Sequence, residues 1–271
     1  MAILLRYLGT ALLALVCAVS APRAEVPRFD RLVVFGDSLS DSGNAGRFSN
    51  GPVWVEQLAG RLGLPLRPAL QGGSNFAVGG ARLDPRSGPY NLRAQADLYL
   101  RLPAPPGRTL HVVYGGGNDV RAAVGARGAE AMVDAAVASA RSIVADLAAR
   151  GATDILVPNL PDIGLTPEMR SRGAAAVAEA GRLSRRFNER LDAALAEFAR
   201  RPGLRLTRLD VAALSARVAA DPQAAGFSDI RTPCGGAADC DDKLFWDPIH
   251  PTTLGHARMA EAAHRALGGV L

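Results

Sequence analysis

Lysine is almost absent from this chain: of its 31 basic residues, all but Lys243 are arginine. The charges of both signs are dispersed, with no run of five or more alike, so no solvated charged tail is written into the sequence. A net charge of +5 leaves weak attraction to anionic surfaces, and hence only transient membrane-surface contact, as an expectation. Aromatic residues make up 5% of the chain and do not interleave with a basic stripe, so no nucleic-acid partner is expected. There is no H-E-x-x-H or calcium-loop pattern and no Cys or His pairs at zinc-ligand spacing. No metal and no cofactor is therefore implied. Internal repeats are lacking, and past the first two dozen residues no stretch is apolar enough to span a membrane.

What is present begins with a three-part leader. Arg6 gives a short positive start, an apolar run extends from Tyr7 to Val19, and small residues stand at Ser20, Ala21 and Ala24. This layout reads as a signal peptide over 1–24, leaving 25–271 as one secreted domain, periplasmic or extracellular. A lipid anchor at Cys17 is the weaker alternative, because bulky Val16 stands where a small residue is expected. Cleavage removes Cys17 and leaves Cys234 and Cys240, an even pair in an exported chain, for a local disulfide.

Short apolar runs at 32–35, 110–114 and 154–157, with an alternating run at 204–209, read as strands. Apolar residues at three- and four-residue spacing predict helices over 129–150, 173–200 and 253–267. The last has an apolar face including Leu254, Ala257, Ala260 and Leu267. Alternation of continuously apolar strands with helices indicates an α/β fold with a mainly parallel sheet covered on both faces. In such sheets sites form beyond the carboxyl ends of strands. Phe35, Tyr114 and Val157 end three strands just before segments rich in Gly, Asn, Asp or Pro.

The first of these segments is Gly36-Asp37-Ser38-Leu39-Ser40-Asp41-Ser42-Gly43-Asn44. A strand enters a sharp turn that leads into a helix, with Gly36 permitting close approach and Ser38 exposed at the strand end. Serine needs an oriented base to become a nucleophile. Asp247-Pro248-Ile249-His250-Pro251 supplies one, since three-residue spacing lets Asp247 hold one ring nitrogen of His250 while the other faces Ser38. A tetrahedral intermediate also needs N–H donors for its oxyanion. Asn75-Phe76-Ala77-Val78-Gly79-Gly80 and Gly115-Gly116-Gly117-Asn118-Asp119 are two further segments that offer such donors beside the Ser38 N–H. A phosphate loop at 115–119 lacks the Lys-Ser/Thr and glycine spacing it would need.

These four blocks resemble the GDSL (SGNH) hydrolases. Supporting likeness lies at 51–54, in Val157-Pro158-Asn159-Leu160-Pro161-Asp162-Ile163-Gly164 and at Phe187-Asn188. The likeness covers nearly all of 25–271 and is greatest to the branch of secreted bacterial lipases, esterases and lecithin-directed acyltransferases. It implies a three-layer α/β/α sandwich, flavodoxin-like, and a serine ester hydrolase with Ser38, Asp247 and His250 as triad. By the same likeness the oxyanion-hole roles fall to Ser38, to Gly80 with Gly79 as the alternative, and to Asn118. The chain stops soon after the last block, so the C-terminal β-barrel of some relatives is not expected. The acceptor stays open: water, another alcohol in a lipid acyltransferase, or a polysaccharide O-acetyl substrate. A non-catalytic surface-binding domain is the reading from another class. A small-molecule or lipid ester is the expected partner, with no obligate protein. His256 and His264 read as surface or capping groups and His111 as a core residue. Asp119 reads as a loop-holder, Ser40 and Ser42 as turn residues, and Trp54 and Trp246 as packing or groove-lining.

Overall fold

The computed structural model describes residues 28–235, 240 and 242–269, so the expected signal peptide lies outside the described residues. Four strands among them, β1 (Arg31–Gly36), β2 (Thr109–Tyr114), β3 (Asp154–Pro158) and β4 (Arg205–Leu209), form one parallel sheet in the order β1-β2-β3-β4. β2 and β3 are buried along their whole length, which is why they read as unbroken apolar runs. β4 is the half-buried edge and keeps its alternating polarity. Beyond β1 the chain adds an irregular parallel segment. Val34 N–H donates to Ser74 O, Phe76 N–H to Val34 O and Val78 N–H to Gly36 O. The chain therefore passes outward from β1 to 74–78 and then returns across it to β2. That reversal places a topological switch point, and so a crevice, at the carboxyl end of β1.

Among the described residues, eight helices cover the sheet: α1 (Trp54–Leu62), α2 (Leu92–Arg101), α3 (Gly117–Ala123), α4 (Ala129–Ala149), α5 (Pro167–Ser171), α6 (Ala174–Leu195), α7 (Val211–Ala220) and α8 (Thr253–Ala266). α1 packs on α8, while α2, α3 and α6 pack on α4, giving the three-layer α/β/α arrangement. The helix predicted over 173–200 ends at Leu195. A separate 3-10 turn, Phe198–Arg200, then buries Phe198.

Two expectations are corrected. No helix follows the Ser38 turn; the chain stays irregular until Trp54. The reason is local competition for amides: the Asp41 carboxylate accepts from the N–H groups of Gly43, Asn44 and Ala45 at 2.8, 2.6 and 2.9 Å. On α8 the buried stripe is His256, Met259, Ala260 and Ala263, with Leu254 and Ala257 only half-buried. His256, read as a surface or capping group, is thus a core residue, 1% exposed.

Candidate active site

Ser38 sits at the carboxyl end of β1 and is almost covered, at 6% exposure. Gly36 is required there, because a Cβ would lie 2.9 Å from Tyr114 O on β2. Asp37 caps the turn by accepting from Leu39 N–H at 3.0 Å. Burial pushes the Asp37 carboxyl up to about 6, against the Leu39 hydrogen bond that favours its anion.

The Asp247–His250 loop arrives from the far end of the sequence. His250 Nε2 lies 2.8 Å from Ser38 Oγ, and His250 Nδ1 lies 2.6 Å from Asp247 Oδ2. A carboxylate can only accept, so in the neutral ring Nδ1 carries the proton and Nε2 offers its lone pair to the serine hydroxyl. The other Asp247 oxygen accepts from the backbone N–H groups of Ile249 (2.8 Å) and His250 (2.6 Å). Partial burial opposes the Asp247 anion, but these bonds together with the His250 ring hold the carboxyl below its usual range. The loop is anchored at both sides: Ser49 Oγ donates to Pro251 O, and Glu168 N–H donates to Pro248 O.

The 74–80 segment lies alongside the turn. Asn75 Nδ2 donates to Ser40 O and Ser42 Oγ, and Gly79 N–H donates to Asp41 Oδ2 at 2.8 Å. The Gly79 amide is therefore engaged, which leaves Gly80 as the better candidate donor of the two. A Cβ on Gly79 would fall 2.3 Å from the Phe48 ring, and Phe48 packs on His250 at 5.2 Å between centroids. Gly79→Ala is expected to push Phe48 against His250 and lower kcat about tenfold or more, the scale on which sub-ångström misplacement acts. Steady-state kinetics alongside a thermal melt would check this, and an unchanged kcat would reject it.

Asn118 stands at the start of α3, beside Ser38 in the wall of the same cavity. Its Nδ2 donates to Ala81 O at 3.0 Å, and its Oδ1 accepts from Arg121 Nη1 at 2.8 Å. Asp119 holds the loop as expected, accepting from the N–H groups of Leu83 and Asp84. From Ser38 a cavity of about 160 Å³ extends past His250 between α7, α8 and the loop before the Asp247 turn. Leu39, Leu214, Val218, Phe227, Ile230 and Met259 line it.

This geometry meets its relatives by comparison. The GDSL-like Lipase/Acylhydrolase profile matches residues 32–263. The chain belongs to that family. It is 28% identical over 325 aligned positions to a phosphatidylcholine-sterol acyltransferase of Aeromonas hydrophila, covering 93% of this chain and 94% of that one. It is 34% identical over 152 positions to Lipase 1 of Photorhabdus luminescens, covering 52% of this chain but only 24% of the relative. Among solved structures, a catalytic mutant of an acetylxylan esterase from Geobacillus stearothermophilus superposes with a TM-score of 0.56 at 17% identity. That likeness covers 89% of this chain and 95% of the other and shows the shared fold.

The remaining residues divide cleanly. Trp54 is fully buried and donates to Ser40 Oγ, so it packs and lines no groove. Trp246 is half-buried and outside the cavity wall. His111 is in the core, bonded to Tyr99 Oη at 2.9 Å. Cys234 and Cys240 form the disulfide expected. Sequence reasoning passed over Arg121, Glu168, Asp41 and Phe48. Two of these carried a signal: Asp41 stands inside the Gly36–Asn44 block, and Arg121 lies three residues after Asn118 and so on the same helical face.

Proposed function

We propose that this family member is a secreted carboxylic ester hydrolase acting through an acyl-enzyme on Ser38. The observation that carries the reading is the continuous Asp247–His250–Ser38 hydrogen-bonded chain. Ser38 Oγ attacks the ester carbonyl while its proton passes to His250 Nε2. His250 then gives that proton to the leaving alcohol as the carbon–oxygen bond breaks. Water, deprotonated by His250, attacks the acyl-enzyme and releases the acid, returning the proton to Ser38. Asp247 holds the tautomer and stabilises the imidazolium. Ser38 N–H, Gly80 N–H and the Asn118 amide receive the oxyanion. Export follows from the leader over 1–24, and the Cys234–Cys240 disulfide suits an oxidising compartment.

The apolar cavity favours acyl esters over polysaccharide acetyl groups. An apolar cavity of about 150 Å³ accommodates a six-carbon ring. The cavity beside Ser38 is of that size, so it takes roughly six acyl carbons. The likeness to a phosphatidylcholine-sterol acyltransferase keeps transfer to a second alcohol as the alternative outcome at the acyl-enzyme. A p-nitrophenyl ester series from acetate to palmitate, with a fluorophosphonate label located by peptide mass, tests both points. The expected optimum is near hexanoate, with the label on Ser38. An optimum at acetate would remove the acyl-pocket reading, and a label elsewhere would remove the serine assignment.

A further inference from the structure

The Asn118 amide has two nearly isosteric ends, and only one of them can donate. Two contacts fix its sense. Ala81 O accepts from Nδ2, and Arg121 Nη1 donates to Oδ1. Rotating the amide by half a turn would set oxygen against oxygen at Ala81 and N–H against N–H at Arg121, so both contacts would turn repulsive. Arg121 is itself held. Its Nε and Nη2 donate in a bidentate fork to Glu168 at 2.7 and 2.9 Å, the geometry in which arginine and carboxylate pair most strongly. The fork, as the largest effect, holds the Glu168 carboxyl below its usual range. Glu168 then donates its backbone N–H to Pro248 O at 2.9 Å, inside the loop that carries Asp247 and His250.

We propose that Arg121 and Glu168 are positioning residues that aim the Asn118 amide at the oxyanion and register it against the Asp247–His250 loop. One Nδ2 proton is taken by Ala81, and the other is left for the developing negative oxygen. Arg121 touches no reacting atom; it acts through Asn118. The half-buried ion pair, with both side chains about one-quarter exposed, contributes orientation more than stability. The inference rests on the Ser38 reading above.

The test is a double-mutant cycle on Ser38-dependent hydrolysis of p-nitrophenyl butyrate. Loss of one oxyanion donor typically costs about 10²–10³ in kcat, and a donor freed to turn loses part of that. Arg121→Met is expected to lower kcat about ten- to a hundredfold with KM within about twofold. Affinity for a trifluoromethyl ketone, which binds as a tetrahedral oxyanion, should fall by the same factor. In an Asn118→Ala background, Arg121→Met should change kcat less than about twofold, because the amide it aims is gone. Arg121→Lys, which can still donate to Asn118 Oδ1, should recover part of the rate. If Arg121→Met fails to fold, Arg121→Lys and Glu168→Gln complete the same cycle. Multiplicative losses in the Asn118→Ala background, or an Arg121→Met loss confined to KM, would overturn the relay. Activity surviving Ser38→Ala would instead sink the serine reading itself, so the two failures are distinguishable.

Discussion

Ser38→Ala and His250→Ala are each expected to lower kcat by roughly 10⁴–10⁶-fold while leaving the fold intact, the scale seen when one member of a serine triad is removed. The reason lies in the geometry. With Ser38 Oγ 2.8 Å from His250 Nε2, removing either atom removes the nucleophile or the base placed beside it. The residual rate comes from oxyanion donors and binding. Asp247→Asn is the more discriminating variant. The carbonyl of the introduced amide can still accept from the backbone N–H groups of Ile249 and His250, so the loop keeps its shape. Its N–H₂ group then faces His250 Nδ1 and forces that nitrogen to accept. The ring proton moves to Nε2, facing Ser38, and the base is lost without loss of structure. The expected fall is about 10⁴-fold, and Asp247→Asn added to Ser38→Ala should cost little beyond Ser38→Ala alone. Kinetics with circular dichroism and thermal melts on the three single variants and the double variant check this. Full additivity of Asp247→Asn and Ser38→Ala would show that the two residues do not act as one unit.

The second large effect expected is acid destabilisation between about pH 7 and 5. Burial pushes His256 down to about 3, with neighbouring His250 and Arg47 acting in the same direction, and pushes His111 down to about 4. Both therefore stay neutral in the folded protein while their unfolded forms protonate near about 6.5. The unfolded state binds more protons throughout this window, so stability falls as the pH drops below about 6.5. At about pH 5 each histidine accounts for about 2 kcal/mol of loss relative to about pH 7. Asp37 works the other way. Its folded value of about 6 lies above its unfolded one, so protonation in the folded state returns about 1 kcal/mol over the same interval. These three groups together give a loss of about 2 to 3 kcal/mol. Asp119, raised by burial, acts in the sense of Asp37, and His264, lowered by burial, in the sense of His256, while paired carboxylates such as Asp154 and Asp247, held below their usual range, titrate beneath this window. His256→Leu should remove about 2 kcal/mol of the stability difference that urea unfolding at the two pH values reads. The substitution forfeits no bond at Nε2, which is buried without a partner. A His256→Leu protein with the pH dependence of the native one would reject the assignment.

The parallel α/β class was legible in the sequence, because strands covered on both faces must be apolar throughout, and 110–114 and 154–157 are. The sequence located the Ser38 turn and the Asp247–His250 pair, because those residue types at that spacing leave few other uses. It could not show that Asp41 would take the amides that a helix after Ser38 needs. A side-chain cap and a helical turn look alike until the carboxylate's direction is known. It left Gly79 and Gly80 as alternatives, and the 2.8 Å bond from Gly79 to Asp41 favours Gly80 as the candidate donor. Periodicity put Leu254 and Ala257 on the buried face of α8, yet the rotation that buries His256 is set by packing against α1 and β4. Arg121 and Glu168 stand 47 positions apart. Their pairing, and the cavity between α7 and α8, arise from segments distant in sequence meeting at the end of the sheet. Local pattern fixes which residues can do chemistry, whereas only the crossing of distant segments decides which of them meet.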